Sequence, residues 1–358
     1  MGRIFPKFIP AQVLLPDSFH DVGHPVLDRV INYGEVLASV KAGKAAGLDG
    51  LSFDFIKSLP QNWLLYLTSL FNRIMSQEKT PIQWSQIVMT MLHKKGDMLD
   101  ANTYRGLALL NMCLKCFTSI LNRRLVVWTD AEGILPDNQA GFHAGRSCLD
   151  LKFFLSAIIQ IHLRLPGQCV YAVFVDFKRE FDSIQHPLLW YKLFSLGVSG
   201  QIIRDTFDNL TEGVLQGEIL SPLLFALFLA DVEDYFRANN CSGLDVNGRR
   251  DTLLLLYADD MVILGDSIAD INRKLEVLES YCSLNKLVVN TAKTKLVCFR
   301  KAGGLKKLVL KAFYEGREIE QVKSYSYLGI PFSSSTVFAN AEDLSRAKAA
   351  SAGLPQSW

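Results

Sequence analysis

Apolar residues at 107, 110, 114, 117, 121 and 125 recur at three- and four-residue intervals. That spacing predicts one amphipathic helix over Leu107–Val127, with Arg123 and Arg124 in its last turn. A second helix-like run, Phe53–Met75, follows the Gly-rich turn KAGKAAGLDGLS (Lys41–Ser52). Leu223–Phe236 is apolar almost all round, which predicts a buried helix. Ser267 and Asp270 make a capping-box-like start for a helix with apolar positions 268, 271, 275, 278 and 282. A shorter helix opens at Pro187 and closes at Gly197. Elsewhere the pattern turns to β. CVYAVFVDF (Cys169–Phe177) predicts a strand ending at Asp176, and TLLLLYADDMVILG predicts strand, tight turn at Ala258–Asp260, strand. KLVVN and TKLVCF predict two further strands, and SYSYLGIPF (Ser324–Phe332) follows a basic loop containing glycine. Residues 1–40 carry no strong pattern, the last 26 are small and polar, and no internal repeat is present. Together these elements predict an α+β fold, helices on a small antiparallel sheet with one apolar hairpin at its centre.

With 358 residues, 49% of them hydrophobic, the chain is long enough for two or three subdomains. Its mean hydropathy of +0.16 argues against disorder. The net charge of +2 conceals an uneven distribution: Lys286–Lys323 holds ten Lys/Arg against three Glu, a local +7. Leu92–Arg124 adds six basic residues against two acidic ones, so the remainder is acidic. Such a split suits a surface that faces a polyanion, although a solvated basic face has the same composition. Seven cysteines at irregular spacing do not make a disulfide frame and predict a reducing, intracellular setting, cytoplasm or nucleus. Cys113 and Cys116 with His143 and Cys148 miss the spacing of a zinc finger and predict core thiols. No apolar run approaches a membrane span, and MGRIFPKFIPAQ lacks an export signal, so no membrane association is expected.

Asp259 and Asp260 are the chemical anomaly, two like charges inside an apolar hairpin. Aspartate is an ordinary turn residue, which accounts for one of them. Neighbouring carboxylates some 4 Å apart repel by about 4 kcal/mol at an effective dielectric near 20. A divalent cation removes that cost, and Mg²⁺ takes one or two carboxylates and fills its octahedron with water and phosphate. Asp176, at the end of the other β run, is the natural third carboxylate. If the two strand ends meet, Asp176 and Asp259 can hold two ions that clamp the attacking and leaving oxygens of a phosphoryl transfer. Solvated turn aspartates are the other reading.

The order of motifs adds a resemblance. FVDFKREFDSI (Phe174–Ile184), EGVLQGEILSPLLF (Glu212–Phe225), YADDMVIL, NTAKTKLVCF (Asn290–Phe299) and YLGIPF (Tyr327–Phe332) resemble the palm of a reverse transcriptase of the LINE-type (non-LTR) retrotransposon family. GLDGLSFDFIK, MLHKKGDMLDANTYRGLALLN and NQAGFHAGRSCLD resemble its fingers. YADD alone is weak; eight blocks in the family's order are specific, and they cover residues 44–332. The resemblance implies a right-hand polymerase fold, with an N-terminal lead-in at 1–43, fingers at 44–168, a palm at 169–332, and the start of a thumb or a disordered tail at 333–358. It implies an RNA-directed DNA polymerase that uses an RNA template, a DNA primer, deoxynucleoside triphosphates and two Mg²⁺ ions, with Mn²⁺ as substitute. Asp176, Asp259 and Asp260 become the catalytic carboxylates and metal ligands, joined by the backbone at Phe177. Phe181 matches the steric gate against a ribose 2′-hydroxyl; Gln216 and Gly217 match the loop against the incoming nucleotide. Arg105, with Lys94 or Lys95, matches the fingers residues on the triphosphate. Lys293 falls where the family has a lysine near the leaving pyrophosphate, with Lys295 two residues away as the competing assignment. Tyr327, Leu328 and Gly329 match the primer-holding hairpin, and the basic segment around it would track nucleic-acid backbone.

Three features depart from the family. Leu210 runs directly into Thr211 where the family has another strand pair; Glu180 stands where a small residue is usual; Gly106 replaces a proline. The chain also stops where a thumb would start and shows no endonuclease domain before the fingers. The expectation is therefore a truncated or decayed copy with its carboxylates intact. The alternative is a catalytically inactive nucleic-acid-binding remnant.

Overall fold

The structure, a computed structural model, describes residues 24–40, 46–77, 79–85, 88–93, 97–100, 103–141, 147–165, 167–178, 183–198, 219–246, 250–301 and 311–334. In chain order its helices are α1 (Tyr33–Ser39), α2 (Phe53–Ser58), α3 (Gln61–Gln77), α4 (Met112–Ala131), α5 (Cys148–Arg164), α6 (His186–Ser195), α7 (Ser221–Phe228), α8 (Val232–Ala238) and α9 (Ile268–Asn285). The strands are β1 (Val88–His93), β2 (Tyr104–Leu109), β3 (Cys169–Val175), β4 (Leu244–Val246), β5 (Arg250–Thr252), β6 (Leu254–Tyr257), β7 (Asp260–Gly265), β8 (Lys295–Arg300), β9 (Ala312–Tyr314), β10 (Arg317–Val322), β11 (Ser324–Tyr327) and β12 (Ile330–Ser333). The chain divides into two compact units, Met1–Leu135 with Arg179–Ala230, and Pro136–Lys178 with Asp231–Trp358.

The first unit is mainly helical. Short helices form where polar residues close their open amides: Asn32 and Glu35 make a reciprocal capping box on α1, and Ser52 caps α2. The predicted helix Phe53–Met75 is two helices, because Leu59 is extended before Pro60 and the chain restarts at Gln61. The predicted helix from Leu107 begins only at Met112: Leu107–Leu109 pair with Val88–Thr90 in the β1–β2 ribbon, and helical spacing ran on into a strand. Phe71, Trp84 and Phe117 pack ring against ring, with centroids 5.5–6.4 Å apart. The buried run at Leu223 is likewise two helices, α7 and α8, parted at Leu229–Asp231.

The second unit is built on a six-stranded sheet, in the order β6-β7-β3-β8-β10-β9. Neighbours are antiparallel except β8 and β10, which run parallel, so the expected antiparallel sheet is a mixed one. The cause is the β9–β10 hairpin, closed by Glu315 and Gly316 at φ of 48° and 70°, which returns the chain beside β8 in the same direction. KLVVN is not a full strand: Lys286 ends α9 in the left-handed conformation, and only Val289 bridges to Phe177. β3 sits centrally, and its apolar run is buried nearly throughout. On one face Val170, Ala172, Phe174, Val262, Leu264, Val297 and Phe299 form a core with Leu155, Ile158 and Ile159 of α5 and with Tyr327 and Phe332 of the β11–β12 hairpin. α9 packs against β7, β9 and β3, and Ser267 caps it by accepting from the Asp270 N–H, as its sequence predicts. Among the described residues no helix is long and apolar enough to cross a membrane.

Candidate active site

Asp176 is the first residue past β3, and three bonds hold it. Asn290 Nδ2 donates to its Oδ2 at 2.9 Å, and the Asn290 N–H donates to its carbonyl at 2.7 Å. Its own N–H donates to Thr294 Oγ1 at 3.2 Å. Lys293 Nζ stands 3.8 Å from the same Oδ2, on a side chain 67% exposed against 30% for Asp176. Lys295 is committed elsewhere, with Nζ 2.6 Å from Glu320 Oε2. Phe177 is buried and pairs with Val289.

The acidic pair lies at the β6–β7 hairpin. Tyr257 pairs with Asp260, leaving Ala258 and Asp259 as a two-residue loop. Ala258 has φ of 55°, a left-handed value such loops require and one that costs a non-glycine residue roughly 1–2 kcal/mol. Asp260 already belongs to β7, whose register with β3 pairs Val175 with Met261. Continuing that register by one step aligns Asp176 with Asp260.

Tyr325 feels the charge at both strand ends. Burial pushes its phenol pKa up, and the charges of Asp260 and then Asp176 push it further. Phe174 stacks on Tyr325 with ring centroids 4.5 Å apart and 19° between planes. Because Phe174 lies two residues before Asp176, the strand's alternation puts both on one face. Tyr327 is buried beside them, its ring 5.5 Å from that of Phe174. Burial and then the Asp260 charge hold its phenol well above the ordinary range. Leu328 and Gly329 close the β11–β12 hairpin at φ of 49° and 80°, the paired left-handed values of a type I′ turn.

These are hard oxygen donors, suited to a hard divalent cation. Among the described residues no three His, Cys, Asp or Glu side chains gather closely enough to hold an ion together. The donor set therefore fits a cation that takes one or two protein carboxylates and draws its remaining ligands from water and phosphate, not a closed protein cage. Arg105 lies in β2, in the other unit, opposite Leu92. Lys94, Lys95, Phe181, Gln216 and Gly217 lie outside the described residues, as do Glu180 and the Leu210–Thr211 join.

A strand-end aspartate, an acidic hairpin turn and an aromatic hairpin occur here in one stretch of chain, and all three lie within the span that the family comparison matches. The model described as "Reverse transcriptase (RNA-dependent DNA polymerase)" matches residues 92–332. The chain belongs to the reverse transcriptase family. Its relatives include the probable RNA-directed DNA polymerase from transposon BS of Drosophila melanogaster, 28% identical over 84% of this chain and 35% of that protein. The probable RNA-directed DNA polymerase from transposon X-element of the same species is 26% identical over 83% of the chain and 34% of its own length. The RNA-directed DNA polymerase from the mobile element jockey is 25% identical over 92% and 37%. The chain thus spans about a third of the length of these curated relatives, which are named as RNA-directed DNA polymerases of transposons or mobile elements.

Sequence reasoning passed over Asn290, Thr294 and Tyr325 as site residues. Asn290 and Thr294 both stand in the quoted block NTAKTKLVCF, where the lysines drew attention because charge is easier to read than an amide bonded to a carboxylate 114 residues away. Tyr325 stands in SYSYLGIPF, two residues before Tyr327.

Proposed function

We propose that this reverse transcriptase chain is the fingers-and-palm part of an RNA-directed DNA polymerase of a non-LTR retrotransposon. It would act inside the cell, extending a DNA primer on an RNA template. The observation that carries this reading is the β3–β7 register, which runs to Val175 and Met261 and so directs the next residues, Asp176 and Asp260, to neighbouring strand ends. Asp176 and Asp259, with Asp260 and the backbone of Phe177, would hold two Mg²⁺ ions, for which Mn²⁺ can substitute. When bound, such ions lower the pKa of a 3′-hydroxyl and neutralise a departing pyrophosphate.

The protein's own groups supply the rest. The primer 3′-oxygen bonds to the α-phosphorus of the deoxynucleotide while the bond to pyrophosphate breaks. Asn290 fixes the orientation of the Asp176 carboxylate by occupying Oδ2, which leaves Oδ1 without a partner among the described residues. Lys293, exposed and next to that carboxylate, delivers a proton to the leaving pyrophosphate. The hairpin at Tyr327, Leu328 and Gly329 seats the primer, and the basic residues from Lys286 to Lys323 follow the nucleic-acid backbone. By the family resemblance Phe181 would exclude a 2′-hydroxyl, Gln216 and Gly217 would serve the incoming nucleotide, and Arg105 with Lys94 or Lys95 would bind the triphosphate.

A second reading, a nucleic-acid-binding remnant without catalysis, rests on the sequence at Leu210–Thr211, where the family has another strand pair. Primer extension on an RNA template with Mg²⁺ separates the two, with Asp259→Ala as control. Extension above that control supports the polymerase; binding of the primer–template without extension supports the remnant.

A further inference from the structure

The motif NQAGF was singled out as a fingers block, but its first residues belong to the unit that carries the acidic hairpin. The Ala140 N–H donates to the Leu256 carbonyl and the Leu256 N–H to the Asn138 carbonyl, both at 2.9 Å, so Gln139 lies parallel to β6 just before its turn. Gln139 is fully buried. Its Oε1 accepts twice, from the Gly141 N–H at 3.0 Å and from the Ala258 N–H at 3.2 Å. Its Nε2 finds no partner among the described residues. A buried amide with an unpaired donor is destabilising, so an apolar side chain of the same size would suit this position better unless the acceptor matters. Gly141 allows the approach: a Cβ there would lie 2.5 Å from Ala258 N, 3.1 Å from Gln139 Oε1 and 3.2 Å from the Tyr257 carbonyl carbon.

We propose that Gln139 is a positioning residue for catalysis, whose side-chain carbonyl pins the Ala258 amide and so fixes the turn that presents Asp259 and Asp260. Ala258 is the residue held in the left-handed conformation, and its amide is where an outside acceptor has most hold on the loop. The inference rests on the reading of those aspartates as catalytic. It concerns, however, how the turn is held, which can be measured without turnover.

Gln139→Met keeps the volume and removes the acceptor. Hydrogen exchange of the peptide covering 255–261 is expected to speed up by about fivefold or more, the worth of one hydrogen bond, while the α9 peptide is unchanged. Single-nucleotide incorporation should lose roughly tenfold or more in kcat, with KM for the deoxynucleotide little altered. Gln139→Glu offers a built-in rescue: its carboxyl keeps an oxygen acceptor for the Ala258 N–H, so turn protection and rate should both return toward wild type measured at the same pH. Should Gln139→Met not fold, Gly141→Ala, which pushes the same contact apart, must show the same local loosening. Unchanged exchange at 255–261 in the folded variant overturns the proposal whatever the activity. A wild-type chain that extends no primer instead defeats the polymerase reading and leaves the exchange result to decide the role of Gln139.

Discussion

Asn290 holds Asp176 at two points, through its backbone N–H to the Asp176 carbonyl at 2.7 Å and through Nδ2 to the carboxylate at 2.9 Å. The backbone bond survives any substitution except proline, so the side-chain bond can be tested by itself. Asn290→Ala should leave the fold in place and lower primer extension by roughly 10- to 100-fold, the usual loss when the group orienting a metal-binding carboxylate is removed. Asn290→Asp should be worse, since it puts a like charge beside Asp176. Single-turnover extension with parallel thermal melts checks both; a full-speed Asn290→Ala enzyme would count against the role given to Asp176.

Lys293 and Lys295 separate by what each already holds. Lys295 faces Glu320 directly in the β8–β10 ladder and bonds to it. Lys295→Ala should cost at most about 1 kcal/mol of stability and little rate. Lys293→Ala should instead lower kcat by roughly 10²-fold or more with little change in melting temperature, as expected for loss of a proton donor. Rapid-quench incorporation compared between the two variants decides; equal rates would remove Lys293 from the reaction.

The contrast shows where the sequence was readable. β3, the β6–β7 hairpin and the Ser267 cap were legible because each rests on local chemistry: alternation, a tight turn, a side-chain acceptor; the β11–β12 hairpin entered only through the family resemblance. The breaks at Leu59 and at Leu229–Asp231, and the strand at Leu107–Leu109, were not, because apolar spacing alone cannot separate one helix from two or a helix start from a strand. The parallel β8–β10 pair depends on where a hairpin folds back, which no local pattern records. Within the site, Asp176, Asp259 and Asp260 stood out by charge. Their holders, Asn290, Thr294 and Gln139, are neutral and distant in sequence, and only coordinates bring them together.

Asp49 explains the block GLDG in unit-level terms. Asn111, at the start of α4, makes no side-chain cap; Asp49 Oδ2 instead accepts from the Met112 N–H at 2.7 Å. A carboxylate at a helix N-terminus gains from both the open amide and the helix dipole. Asp49→Ala should therefore cost about 1–2 kcal/mol by urea denaturation. Gly47→Ala should cost more, because its Cβ would fall 2.3 Å from the Leu110 carbonyl oxygen, and backbone cannot yield as a side chain can. A Gly47→Ala protein as stable as wild type would mean that the segment docks elsewhere.

Glu35 and Arg124 set the acid limit of the first unit. Arg124 is buried and donates Nε to Glu35 Oε1 at 2.9 Å and Nη2 to Oε2 at 3.0 Å, while Nη1 donates to the carbonyls of Leu27 and Arg29. Burial alone would raise the Glu35 pKa. The Arg124 bonds, the Asn32 N–H, the Arg124 charge and Arg29 outweigh it and bring the value from 4.5 down to about 2. A carboxylate whose folded pKa lies below its unfolded one stabilises fully above the unfolded value and loses that contribution as pH falls through the folded one. The window is therefore pH 4.5 to about 2. Glu35 retains some contact with water, so its contribution should be about 2 kcal/mol and not the full electrostatic value. Glu35→Gln should be less stable than wild type at pH 6, and the gap should narrow steadily as the pH is lowered from 4.5 toward 2. Arg124→Met should lose about 3–5 kcal/mol at pH 6, because it strands a buried carboxylate, and should recover part of that loss as Glu35 takes up a proton. Urea midpoints across that pH range test both; a gap between wild type and Glu35→Gln that stays constant with pH would show that the pair does not carry the titration.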